Sequence, residues 1–221
     1  MIKVDNVQVY GINRSVYSIR NAMNSWEKSD TIAPYGIESS LGENDYELAI
    51  KLCKAGTDHR KFLRMIQVYM NIVAPLYWWK EFDTYKVGTV ANSCSTMHNL
   101  TDHEFTLNYF SHDHLIAVEG DSDDKIDYDD CSSKHILRTY VDAINEIRDK
   151  FLKTKDKKYW YQIIQLLPSS YNEGRTVSLN YEVLRNMYNA RKKHKLDEWQ
   201  SFCRILFELP YSSFITGDDE Y

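Results

Sequence analysis

Ten residues, "RMIQVYMNIV" from Arg64 to Val73, restrict the fold more than any other stretch. Their β-branched and aromatic side chains are dense enough to predict a buried strand. Pro75 follows at the place where a helix would begin, in the turn where a missing N–H costs nothing. That helix would carry "PLYWWKEFDTYKV" to about Val87, and Gly88 then loosens the chain ahead of a small polar segment, Asn92 to His98. The same order returns near the C-terminus, where "YNEGRTVSL" is strand-like and Asn180 to Arg191 is helical.

Around these two units the pattern fills in. "IKVDNVQVY" alternates imperfectly around Ile2, Val4, Val7 and Val9 and predicts a strand. Arg14 to Met23 reads as a short helix, and Ser29 to Gly42, with Pro34 and two glycines, as a loop. Asn44 is placed to cap a helix through Ala55, with Leu48 and Leu52 on its inner face and Gly56 beyond its end. Residues 101–133 are polar and acidic and read as an insertion or loop. From Ser133, Leu137, Tyr140, Val141, Ile144 and Phe151 recur at helical spacing. A lysine-rich turn leads to a further helix before Pro168, and Leu196 to Leu209 is helical after the basic joint "KKHK". Helices with a few separated strands make this an α+β chain. No internal repeat or long linker divides it, so residues 1–221 are expected to form one domain.

Composition narrows the partners. The net charge is -5 and the pI near 5.8, so no nucleic-acid partner is expected, and any bound anion must meet a local basic cluster. No run of about 20 apolar residues would span a membrane, and "MIKVDNVQVY" lacks the layout of a signal peptide. The four cysteines are scattered without a CxxC, which predicts reduced thiols and a cytoplasmic setting. Tyrosine is in excess, 17 residues, which suits wet pockets and subunit interfaces.

Few motifs carry chemistry. The acidic run Asp121–Asp130 fails as a calcium loop, with Ile126 where glycine is needed and Ser132 where glutamate is needed. His103, His112, His114 and Asp113 match a metal cluster in composition only, and no metal site is expected. GxSxG, GxxxxGK and GxGxxG are absent. "HRKFLR", His59 to Arg64, offers Arg60, Lys61 and Arg64 as a phosphate-binding group or as a solvated face. Asn180 and Arg191 are about three helical turns, roughly 16 Å, apart on one face of their helix. Leu184, Met187 and Tyr188 share that face, so it points inward. Polar groups there need partners. Those partners are either internal, an amide cap and a salt bridge, or a ligand lying along the helix with a polar or anionic group at each end.

"LPSSYNEGRTVSLNYEVLRNMYNARKKH" resembles the strand-then-helix segment of the flavin-dependent thymidylate synthases (ThyX), in which a Leu-Pro, a strand, an Asn and an Arg three turns later belong to the flavin and nucleotide site. Upstream, "AGTDHRKFLRMIQVYMNIVAP" resembles the family's histidine turn, strand and helix start, with His59 near the flavin-site histidine. The family signature R-H-R-x-x-S-x-N-E-x-S-x-R-Y would cover Tyr85 to His98. Tyr85, Lys86 and Val87 stand in place of Arg-His-Arg, Val90 replaces Ser, and Met97–His98 replaces Arg-Tyr; Asn92 and Ser95 match.

The resemblance implies a small, mostly antiparallel sheet packed with several helices, and homotetramers with sites shared between subunits. It implies FAD held by His59, Arg60, Lys86, Asn92 and Asn180. It implies a dUMP-type nucleotide at Tyr85, Ser95 and Arg191, with Arg191 and Ser95 as catalytic groups. Methylenetetrahydrofolate would supply the one-carbon unit and NADPH the reducing equivalents. Trp78 and Trp79 would stack on a ring or pack at an interface, and Arg60, Arg64 or Arg185 could replace the lost cations. The expected reaction is C5 methylation. A hydroxymethylase acting on dUMP or dCMP and a non-catalytic nucleotide- or flavin-binding protein are the alternatives. A metal phosphohydrolase using His59, His112 and Asp113 is a third reading.

Overall fold

The computed structural model describes residues 2–31, 40–94, 99–117 and 132–217. Among them are four strands in one antiparallel sheet and eight α-helices, an α+β architecture as expected. The strands are β1 (Lys3–Tyr10), β2 (Gln67–Pro75), β3 (Val90–Ser93) and β4 (Asn172–Asn180), paired in the order β1-β2-β4-β3. Backbone bonds from Leu76 N to Tyr171 O and from Tyr181 N to Ile66 O fix the β2–β4 register. It places Asn71 opposite Thr176, whose hydroxyl donates to the Asn71 side chain at 2.7 Å. Along β2 burial alternates with period two: Val68, Met70, Ile72 and Ala74 are inside while Tyr69 and Val73 are exposed.

The residues gather into two compact units. The larger, residues 2–72, 82–92 and 175–221, contains α1 (Ile12–Ser18), α2 (Glu43–Lys54), α6 (Tyr181–Arg191), α7 (Asp197–Ile205) and α8 (Ser213–Thr216). Its core is aromatic as much as aliphatic: Phe62, Trp199, Phe202 and Phe214 are buried with Leu63, Ile66, Leu184 and Met187. Helix α1 stops at Ser18, and a 3-10 turn continues to Met23. The cap of α2 differs from expectation. Gly42 is the N-cap residue, Asn44 lies inside the helix, and Asp30 accepts from the Asn44 and Asp45 N–H groups. The inner face is Asp45, Ala49 and Cys53, while Leu48 and Leu52 are only partly covered. Asp45 is fully buried and accepts from Arg20 at 2.6 Å.

The smaller unit, residues 73–81 and 93–174, contains α3 (Leu76–Phe82, except its last residue), α4 (Ser133–Thr154) and α5 (Lys157–Leu166). Residues 99–117 do more than loop. Leu100, Phe105 and Phe110 join Leu137, Val141 and Ile144 of α4 and Ile163 of α5 in one core. Asn145 clamps both backbone groups of Phe105 at 2.8 and 2.9 Å. The acidic run Asp121–Asp130 lies outside the described residues. Pro75 ends β2 and α3 begins on the next residue, stopping at Phe82 instead of Val87; a 3-10 turn, Asp83–Tyr85, follows. Trp78 and Trp79 are fully buried, and the Trp79 indole donates to Glu173 O at 2.9 Å. Neither presents a face to a ligand.

Candidate functional site

The site is built on α6. Asn180 leaves β4 in extended conformation, so its side chain folds over the first turn and its Oδ1 accepts the Val183 N–H at 3.0 Å. Leu184, Met187 and Tyr188 are buried behind it, which is the inward face expected. The segment after α3 lies against this helix start. Gly88 has φ +84°, and a Cβ there would stand 3.1 Å from both Asn180 Nδ2 and Val183 Cγ2. That contact is tighter than ordinary van der Waals packing, and the positive φ is itself one that glycine adopts without strain. The amide of Asn180 therefore has its oxygen in the cap and its nitrogen toward the Gly88 turn.

At the other end of α6, Arg191 is half-buried among aromatics. Its Nε donates to the Tyr85 hydroxyl at 3.0 Å. Its guanidinium carbon lies 4.9 Å from the Trp199 ring centre and 5.7 Å from that of Tyr85, both within cation–π range. Tyr85 meets Trp199 edge-on at 6.2 Å, and His194 meets the other residues of this cluster through Trp199 at 6.4 Å. Trp199 has no exposed surface, so the guanidinium rests on a fixed platform.

Tyr85 also forms one wall of a pocket of about 180 Å³ lined by Phe82, Asp83, Lys86, Thr89 and Ala91. Asp83 is bridged to Arg175 at 2.9 Å. Thr89 Oγ1 is buried without a hydrogen-bonding partner among the described residues, a state that costs about 1–3 kcal/mol unless something fills it. Lys86 is exposed at the rim. The pocket thus offers a cation, an orphaned hydroxyl and two ring edges.

The other expected site residues fall differently. Arg60 is committed to Glu182 of α6, with Nε 2.9 Å from Oε2 and Glu182 nearly buried. Arg185 donates to Phe214 O at 2.7 Å. Neither guanidinium stands open to replace a lost phosphate contact. His59 is exposed in the turn after α2, and Asn92 is exposed on β3; neither lines the pocket. Ser95 lies outside the described residues. Burial pushes the Cys53 and Cys203 thiols up to about 11 and about 12, so neither is poised as a nucleophile. No three His, Cys, Asp or Glu side chains converge among the described residues, and no described helix is long and apolar enough to cross a membrane. Sequence reasoning missed Trp199, Thr89 and Glu182. Trp199 has the apolar helical phase of a core residue, and nothing local marks it as a seat for a cation.

This arrangement occurs on a known architecture: the chain has the fold of thymidylate synthase X. The structure of that enzyme from Helicobacter pylori with FAD and dUMP superposes with a TM-score of 0.70 at 17% identity, covering 99% of this chain and 98% of that one. A second structure of the H. pylori enzyme with the same two ligands gives 0.67 at 18% identity, over 97% and 99%. The UMP/dUMP methylase PolB from Streptomyces cacaoi, bound with 5-Br dUMP, gives 0.57 at 12% identity, over 93% and 88%. No family model and no curated protein sequence matches the chain.

Proposed function

We propose that this chain is a flavin-dependent enzyme that modifies C5 of a pyrimidine deoxynucleotide of the dUMP type. The observation that carries the reading is the coincidence of two things. The fold is shared over nearly the whole length with proteins crystallised with FAD and dUMP, and Arg191, at the end of α6, is hydrogen-bonded to Tyr85, which lines a pocket. A guanidinium so placed stabilises negative charge building on a pyrimidine ring during attack from C5.

The residues of one chain fit part of FAD. A pocket of about 180 Å³ is below the roughly 300–1,000 Å³ of ordinary ligand sites; it suits a ring or a phosphate group and not a whole dinucleotide. The donors suit an anion or a carbonyl: Lys86 and Thr89 Oγ1 at the pocket, with Asn180 Nδ2 near the Gly88 turn. His59, Asn92 and Ser95 complete the cofactor and phosphate contacts in this reading, and Arg60 acts by fixing Glu182 at the start of α6. The remainder of the site comes from neighbouring copies in a homotetramer of single-domain chains. When bound and reduced, FAD supplies the hydride, with methylenetetrahydrofolate as one-carbon donor and NADPH as reductant. The chain itself binds, orients and polarises. No nucleophile of its own is required, in keeping with the two buried, high-pKa thiols.

Hydroxymethylation, with water in place of hydride as the final addition, uses the same site. A binding protein without turnover is a second reading, favoured by the Asn180 oxygen engaged in a cap and by the small pocket. One experiment separates them. The purified protein, loaded with FAD, is incubated without oxygen with dUMP or dCMP, methylenetetrahydrofolate and NADPH, and the nucleotide is weighed by mass spectrometry. A methyl increment supports the proposal and a hydroxymethyl increment supports the variant. Failure to retain flavin or to alter either nucleotide overturns the enzymatic reading.

A further inference from the structure

The family resemblance implies that Tyr85 contacts the nucleotide, yet its hydroxyl is already engaged. It accepts the Arg191 Nε–H at 3.0 Å, and its ring stands edge-on to Trp199, the platform under the same guanidinium. We propose that Tyr85 is a positioning residue: with Trp199 it forms a clamp that sets the plane and the edge of the Arg191 guanidinium. The inference rests on the functional reading given above but concerns what aims its cation.

Arginine at the last turn of a helix has four side-chain torsions to settle, and an unheld guanidinium samples many directions. Trp199, without exposed surface, gives the guanidinium a fixed ring face 4.9 Å away, which restrains its plane. A hydrogen bond at Nε fixes rotation within that plane, because Nε lies on one defined edge of the fork. Two constraints from two separate elements, the turn after α3 and helix α7, are what preorganisation of a charge requires. Trp199 is too deeply buried to vary without damage to the core. Tyr85 is half-buried on the 3-10 turn, so its hydroxyl can be removed alone.

The test is a double-mutant cycle of Tyr85→Phe and Arg191→Ala, read in three ways. In the first, dUMP binding is measured by calorimetry on the FAD-loaded protein, and kcat and KM are measured separately. Tyr85→Phe is expected to lower kcat/KM by about 10- to 100-fold, the loss of one hydrogen bond to a charged group. That loss should vanish in the Arg191→Ala background. The second reading needs no turnover: in ¹⁵N spectra the Arg191 Nε–H, assigned by its disappearance in Arg191→Ala, should exchange slowly with water in the wild type and rapidly in Tyr85→Phe. The third is thermal melting, expected to be nearly unchanged by Tyr85→Phe. Losses that multiply independently, or an Nε proton equally protected in Tyr85→Phe, overturn the clamp. A wild type that protects the Nε proton but binds no dUMP overturns the functional reading and leaves the clamp standing.

Discussion

Asn180 combines a structural and a proposed functional role in one amide, and two substitutions pull them apart. Its Oδ1 caps α6 through Val183 N at 3.0 Å, in a position only 9% exposed. Asn180→Ala deletes the acceptor and leaves a buried N–H without a partner, because water reaches this position poorly. Cap removal costs about 0.5–2 kcal/mol and an orphaned buried donor about 1–3 kcal/mol; these describe the same lost bond, so they are not summed. We expect about 1–2 kcal/mol, which for a chain of this length lowers Tm by roughly 2–8 °C. Asn180→Ser keeps an oxygen that can cap, at a cost under about 1 kcal/mol, but removes Nδ2. If Nδ2 donates to the flavin, Asn180→Ser weakens FAD binding by about 2- to 12-fold, the range of one neutral hydrogen bond, while melting almost like the wild type. The assays are circular-dichroism melts without ligand and a titration with FAD followed by flavin fluorescence. An alanine variant that melts with the wild type refutes the capping argument. A serine variant with wild-type FAD affinity shows that the amide nitrogen makes no contact with the cofactor and that Asn180 is a cap alone.

Two further substitutions test the frame of the site. Gly88→Ala puts a Cβ on backbone at φ +84° and 3.1 Å from Asn180 Nδ2 and Val183 Cγ2; we expect about 1–3 kcal/mol of destabilisation, read as a lower urea midpoint with unchanged slope. Asp45 gives an acid-dependent prediction. Burial pushes its carboxyl up, but hydrogen bonds from Ser29, Thr31 and Arg20 and the Arg20 charge outweigh this and hold it below its ordinary value of 3.8. A depressed folded pKa contributes stability that is fully present above the ordinary value and is lost as pH falls through the folded value. Arg20→Met therefore costs about 3–5 kcal/mol near neutrality, by leaving a buried charge unpaired. Denaturant titrations of both proteins from pH 6 to pH 2 should show that gap narrowing as pH falls, because Asp45 without its arginine is protonated before Asp45 of the wild type.

Several elements that were legible in the sequence show burial that repeats with a period. β2 carries apolar residues at every second position from Val68 to Ala74, β4 does so only at Val177 and Leu179, and α4 and α6 show their inner faces directly. Errors fell where the decisive partner is distant in sequence. Asn44 has the chemistry of a cap, yet Asp30, fourteen residues upstream, supplies the acceptor for α2. Residues 99–117 are polar on average, and average polarity hid Leu100, Phe105 and Phe110, three apolar side chains that close a core against α4. Trp78 and Trp79 carry the composition of a stacking platform, but the strand-to-helix passage at Pro75 turns both inward.

The candidate site divides along the same line. Asn180 as a cap could be read from an Asn standing between a strand and a helix, and the inward phase of Arg191 followed from eleven residues of helix. What Arg191 touches could not, because its hydrogen-bond partner Tyr85 is 106 residues away and Trp199 belongs to another helix. This separation explains how fold and site vocabulary can diverge within one chain. A core accepts many apolar residues of suitable volume provided the pattern holds, so a fold persists at 17% identity. A charge aimed at a ligand depends on particular neighbours at particular distances. Tyr85 brings a phenol that meets Arg191 as a neutral acceptor, where a second guanidinium at this position would meet it as a like charge. Tyr85→Arg should therefore lower stability more than Tyr85→Phe, most strongly at low salt where like charges are least screened.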